Sequence, residues 1–84
     1  MSELAKLPNV GKVLEENLRA VGIETPEQLR EIGAKEAFRR IRAERDPGAC
    51  LHMLCGIQGA TLGIPDKLLP AEIKQDLKTF FRSL

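Results

Sequence analysis

Two groups of side chains in this 84-residue chain could carry chemistry: the sulfur and imidazole set Cys50, His52 and Cys55, and the turn Asn9-Val10-Gly11-Lys12. His52 and Cys55 stand three residues apart, a spacing that on a helix could supply two metal ligands. A structural zinc site needs four, and the sequence holds no second Cys/His pair. Cys50 and Cys55 are five residues apart, ~140° of helical rotation, which points the thiols to different faces and sets their α-carbons beyond the ~7 Å reach of a disulfide. The favoured reading is two small buried thiols beside one partly buried histidine, in a reducing cytoplasm, with no metal and no cofactor. The chain has one His, no Tyr, no glycine-rich phosphate loop in a strand–turn–helix setting and no carboxylate pair that burial would tune. No catalytic residue is assigned, and an enzyme is disfavoured.

The turn offers more. Leu7-Pro8-Asn9-Val10-Gly11-Lys12 reads as a tight hairpin feeding an amphipathic helix. Asn tolerates the left-handed conformation that such a turn needs, and Gly11 tolerates it better. A turn that opens a helix exposes unpaired amides and a partial positive charge, which suits a phosphate, and Lys12 adds a mobile cation. Asn9, Val10, Gly11 and Lys12 are therefore candidate nucleic-acid contacts, although the favoured reading of the turn is a connector between packed helices, since short turns of this kind are common. Lys35, Arg39, Arg40, Arg42 and Arg45 form the densest basic cluster. Arg39, Arg40 and Arg42 could grip phosphate or an acidic partner. However, Glu36 with Arg40, and Arg40 with Glu44, are i,i+4 pairs of the kind that decorate a solvated face, which is the favoured reading. Gly56, Gly59, Ala60 and Gly63 would let another backbone approach closely, within the chain in preference to across a dimer seam.

These residues must be positioned by helices, since no alternating strand pattern of useful length occurs. Ser2 could cap a first short helix carrying Leu4 and Leu7, which Pro8 and Asn9 break. Residues 12 to 21 follow, with Val13, Leu14, Leu18 and Val21 as a broad apolar stripe and Gly22 as the stop. Thr25-Pro26-Glu27-Gln28 is a helix start: Thr25 the N-cap, Pro26 the first helical residue, Gln28 closing a capping box. Leu29 and Ile32 face inward, and Gly33 ends that helix. Ala34 to Glu44 forms the next, with Ala37, Phe38 and Ile41 inward. Asp46-Pro47 then opens a central helix over residues 47 to 62, buried nearly all round. Leu69-Pro70 begins the last, striped by Ile73, Leu77, Phe80 and Phe81. The expected fold is all-α: a single compact five- to six-helix domain over residues 1–84, helix-hairpin-helix-like, around a buried central helix. Leu51, Leu54, Ile57, Phe38, Leu77 and Phe80 are its expected core.

Composition bounds the function. Charged residues are 30% of the chain, yet the formal net charge is only +1. Nucleic-acid binders that work by electrostatics are usually far more basic, so any such binding is expected to be weak and non-specific. The N-terminus lacks the basic and apolar regions of a signal peptide. Residues 47 to 65 carry no formal charge, but Gly48, His52, Gly56, Gln58, Gly59, Thr61 and Gly63 interrupt them, so no membrane association is expected and the chain is placed in the cytoplasm.

The order of motifs resembles the C-terminal domain of the TfoX/Sxy family of bacterial competence regulators. The likeness runs through Leu7-Pro8-Asn9-Val10-Gly11, Gly22-Ile23 with Thr25-Pro26-Glu27-Gln28-Leu29, Ile32-Gly33-Ala34 with Ala37-Phe38, Cys50-Leu51-His52-Met53-Leu54, Gln58-Gly59-Ala60 and Leu69-Pro70. The resemblance implies an all-helical, helix-hairpin-helix-like module in a family linked to transcriptional control of DNA uptake, with no enzymatic activity. The aromatic and acidic residues that members often carry in the central helix are replaced here by Cys55 and Gln58. The partner is expected to be nucleic acid or protein, and a homodimer remains open.

Overall fold

Glycine and proline punctuation cuts residues 3–84, the part that the computed structural model describes, into five α-helices. They are α1 (Lys12–Ala20), α2 (Pro26–Ile32), α3 (Ala34–Glu44), α4 (Leu51–Leu62) and α5 (Ala71–Arg82). Single 3-10 turns at Glu3–Lys6 and Asp66–Leu68 precede α1 and α5. Among the described residues there is no strand. The proposed Ser2 cap lies outside them, and the first element is a 3-10 turn in place of an α-helix, with Leu4 fully buried.

The helix boundaries follow their caps. After α1, Gly22 takes φ 90°, its amide donates to the Arg19 carbonyl and the Ile23 amide to that of Leu18. This paired arrangement closes a helix and drives Ile23 into the core. Thr25 caps α2 as expected: its hydroxyl accepts from the Gln28 amide at 3.1 Å. The Gln28 side chain reaches back one residue further than a standard capping box, accepting from the Glu24 amide at 2.7 Å. Gly33 (φ 87°) joins α2 to α3. Gly63 (φ 76°) ends α4, with the Ile64 amide on the Gly59 carbonyl.

α4 begins later than its apolar sequence implies. The Asp46 carboxylate accepts from the Gly48 amide at 3.0 Å, closing a local turn in place of capping a helix. Cys50 becomes the N-cap, so α4 spans 51–62 and not 47–62. α4 packs against α3, α5, α2 and the Asp66–Leu68 turn, and Leu54, Gly56, Ile57, Gly59 and Ala60 are buried. His52 and Leu62 are exposed, so the helix is central without being buried all round. None of the helices is long and apolar enough to cross a membrane.

Leu54, Ile57, Phe38 and Leu77 are core residues as expected; Leu51 and Phe80 pack at its edge, half-buried. Phe38 and Phe81 meet at a 6.0 Å centroid distance with their planes tilted by 52°, an edge-biased aromatic contact between α3 and α5. Val13 departs from its expected stripe: it is 68% exposed while Leu14 and Leu18 are buried. Asn17 is a buried polar residue, and its carboxamide oxygen accepts from Arg45 Nε at 3.3 Å. Among the described residues no buried side-chain nitrogen or oxygen lacks a partner.

Candidate functional site

The turn ahead of α1 is built by Pro8 and Asn9. The Val10 amide donates to the Leu7 carbonyl at 3.3 Å, closing four residues with Pro second and Asn third. Asn9 sits at φ 68°, the only left-handed non-glycine residue among those described. That is the type II pattern, in which proline sets the second position and the third must tolerate positive φ. The left-handed residue is thus Asn9 and not Gly11, which has φ −89° and extended backbone.

Asn9 does more than turn the chain. Its Nδ2 donates to the Gly56 carbonyl at 3.2 Å and to the Ile64 carbonyl at 3.0 Å, and its Oδ1 accepts from the Asp66 amide at 3.1 Å. One carboxamide therefore ties the turn to the middle of α4, to its end and to the turn beyond it. Room for it comes from Gly59: a Cβ there would lie 2.5 Å from Asn9 Nδ2 and 2.7 Å from the Ile64 oxygen. The small residues of α4 serve packing within the chain, as their pattern led us to expect. What the sequence did not disclose is that their partner is a side chain 47 residues away, between Asn9 and Gly56.

The four hairpin candidates thus divide. Val10 is buried with its amide engaged, and the Asn9 side chain is occupied. Gly11 and Lys12 are exposed. Gly11 is the N-cap of α1, supplies no side-chain acceptor, and has open space for 4 Å around the point where a Cβ would stand. Lys12 makes no ion pair among the described residues. Beside them lies a groove of about 450 Å³ with Val13, Leu14, Met53 and Gly56 as its apolar part. At its rim His52 Nδ1 stands 3.6 Å from Asp66 Oδ2. His52 is exposed, which corrects its expected partial burial. Val13 and Asp66 were not among the expected site residues; the spacing of Val13 assigns it to the apolar stripe and carries no sign of its exposure.

The basic cluster on α3 is engaged internally. Glu36 accepts from Arg39 through both oxygens, at 2.8 and 2.7 Å, and from Arg40 Nε at 3.0 Å. Arg40 turns back to Glu36 and not forward to Glu44. Hydrogen bonds from Arg39 and then Arg40 hold the Glu36 carboxyl at about 2, well below the usual range. Lys35 pairs with Asp76 of α5 at 2.6 Å and sits 5.6 Å from the Phe80 ring centre. Arg42 lies 5.3 Å from that of Phe81. Two of the five, Lys35 and Arg42, therefore fasten α3 to α5, Arg39 and Arg40 form a paired face on Glu36, and Arg45 reaches Asn17 of α1.

Both cysteines are free. Cys50 is exposed at the start of α4, a correction to its expected burial, because the helix opens there and not at Pro47. Cys55 is half-buried, and burial, followed by the nearby Asp66 charge, pushes its thiol pKa up. Among the described residues no group of three or more His, Cys, Asp or Glu could hold a metal ion.

Residues 1–81 match the family described as the TfoX C-terminal domain. Two Listeria monocytogenes crystal structures, an uncharacterized protein in a triclinic form and a protein of unknown function in a tetragonal form, share the fold. The triclinic form aligns at TM-score 0.92 and 45% identity over 95% of this chain and 90% of that one. The tetragonal form gives TM-score 0.91 and 45% identity over 95% and 96%. No curated protein matches the chain.

Proposed function

The chain belongs to the TfoX C-terminal domain family, and from that premise we propose that it is a non-enzymatic regulatory module that touches nucleic-acid phosphates weakly at the start of α1. The observation that supports this is the pairing of an uncapped, glycine-opened helix N-terminus with an exposed lysine that has no ion-pair partner among the described residues. Amides of a first helical turn point outward and carry partial positive charge, so an anion is their natural complement. Such contacts position a protein without reading bases, and binding is sequence-independent. The test is fluorescence anisotropy of the chain with duplex and single-stranded DNA at two salt concentrations. Lys12→Glu weakens binding to every sequence alike; failure of the wild-type chain to bind even at low salt refutes the reading.

A protein partner is the second reading, supported by one specific observation. Val13 is left 68% exposed above the apolar wall of Leu14 and Met53. A concave, mostly apolar groove with Val13 at its lip is the kind of surface that takes a partner's apolar side chain. Val13→Glu separates the readings: it abolishes a groove-bound protein contact while reducing DNA binding only by the added charge.

A further inference from the structure

Helix α5 divides its solvent-facing arc by charge. Taking Lys74 as reference, with ~100° per residue, Lys78 and Arg82 follow at about 40° and 80°, whereas Glu72 and Asp76 fall at about 160° and 200°. Ile73, Leu77, Phe80 and Phe81 occupy the remaining arc and pack on the core. The acidic side turns toward α3, where Asp76 meets Lys35 at 2.6 Å. The basic side turns toward α4, where Lys74 and Lys78 are close enough to Cys55 to act on its thiol.

Lys74, Lys78 and Arg82 make no ion pair among the described residues. That sets them apart from α3, whose Arg39 and Arg40 share one carboxylate and whose Arg42 lies against a ring. The three are spaced at four-residue intervals, so their stems leave the helix at steps of ~6 Å over ~12 Å. Ala71 shares their arc, Gln75 and Thr79 separate them from the acidic side, and the nearest large apolar residue, half-buried Phe81, flanks the row and packs on the core. Protein interfaces depend on an apolar or aromatic anchor at their centre, and this strip has none. A row of evenly spaced, mobile cations without an anchor complements a repeating anion.

We propose that the Lys74–Lys78–Arg82 face of α5 is a docking surface for the sugar–phosphate backbone of a nucleic acid. The inference deepens the nucleic-acid reading above and rests on it. Binding through this face releases counterions and reads no sequence. The low net charge is compatible with it because α5's own acids, Glu72 and Asp76, lie on the opposite side of the helix, while Asp66, which with Lys74 and Lys78 acts on the Cys55 thiol, borders the row.

The test is anisotropy of a fluorescein-labelled random-sequence duplex with the wild-type chain, Lys74→Gln/Lys78→Gln/Arg82→Gln, Lys12→Glu and Arg39→Gln/Arg40→Gln. All substitutions are at exposed or partly exposed positions, and circular dichroism checks each fold. The α5 triple variant is expected to lose about tenfold or more in affinity at low salt. The slope of log affinity against log salt should flatten by about 0.9 for each of the three contacts removed. The α3 double variant should stay within about twofold of wild type, as Arg39 and Arg40 already share the Glu36 carboxylate. If the α5 triple variant binds like wild type while Lys12→Glu weakens binding, the α5 surface is refuted and the α1 reading stands. If the wild-type chain binds no DNA, both fall. If polyglutamate competes as well as DNA at equal charge, the surface takes acidic protein and the nucleic-acid assignment is overturned.

Discussion

Replacing Gly59 with Ala should destabilise the chain, although alanine is the better helix former. In an open helical position the exchange gains about 1 kcal/mol. At Gly59 the new methyl carbon would stand 2.5 Å from Asn9 Nδ2, 2.7 Å from the Ile64 carbonyl oxygen and 3.3 Å from the Asp66 amide. Asn9 can swing away only by giving up hydrogen bonds to Gly56, Ile64 and Asp66. Each is worth ~0.5–1.5 kcal/mol net. The Ile64 oxygen belongs to the backbone that ends α4, and moving it adds an overpacking cost of ~1–3 kcal/mol. After the propensity gain, the net loss is about 1.5–6.5 kcal/mol. For a domain of this size even the lower end lowers Tm by ~6–12 °C. Gly56 is the internal control. A Cβ there meets only Asn9 Cβ at 3.5 Å, an ordinary contact, so Gly56→Ala should be neutral or stabilising. Asn9→Gly keeps the left-handed turn and removes the three bonds, at a cost of about 1–3 kcal/mol. Thermal and urea denaturation followed by circular dichroism measures all three. Equal stabilities for Gly56→Ala and Gly59→Ala would refute the close fit of Asn9 against Gly59.

Leu54→Ala removes a fully buried side chain from the centre of α4 and should cost ~2–5 kcal/mol in urea denaturation. Glu36 should titrate near pH 2 in a carbon-detected NMR titration; its carboxyl lies below its unfolded value of 4.5, so its pairs with Arg39 and Arg40 favour the folded state above that value and are lost as pH falls through about 2. Arg39→Gln with Arg40→Gln should return the midpoint toward the ordinary carboxylate range. A thiol-reactive dye should label the chain in two phases, fast at exposed Cys50 and slow at half-buried Cys55, whose pKa is raised. Cys50→Ser should remove the fast phase alone.

Local rules made most of the fold readable. Thr25-Pro26, Gly22, Gly33 and Gly63 each do what cap chemistry requires, and α3 spans the residues its periodicity implied. Errors arose where two local signals competed. Asp46-Pro47 resembles a helix start, but with Gly48 next to Pro47 the aspartate closes a tighter turn on the Gly48 amide instead. Val13 fits the apolar stripe by spacing, yet it stands at its edge, ~100° round the helix from buried Leu14, and faces solvent. The site was less legible because its geometry is non-local. Asn9 and Gly59 each have an ordinary local explanation, a turn residue and a small helical residue. Only their meeting shows that each constrains the other.

The same distinction between local pattern and tertiary partner bears on which charges can act on a ligand. Density along the sequence singles out residues 35–45, where five cations fall within eleven positions. Availability is a different quantity. A guanidinium already shared with a carboxylate, as at Arg39 and Arg40, must break hydrogen bonds before it can engage a phosphate, and the exchange gains little. Lys12, Lys74, Lys78 and Arg82 have no ion pairs to break among the described residues, so each can meet a phosphate at the cost of side-chain entropy and hydration alone. A binding surface in this domain is therefore expected where cations are sparse but free, on α1 and α5, in preference to α3 where they are dense and paired.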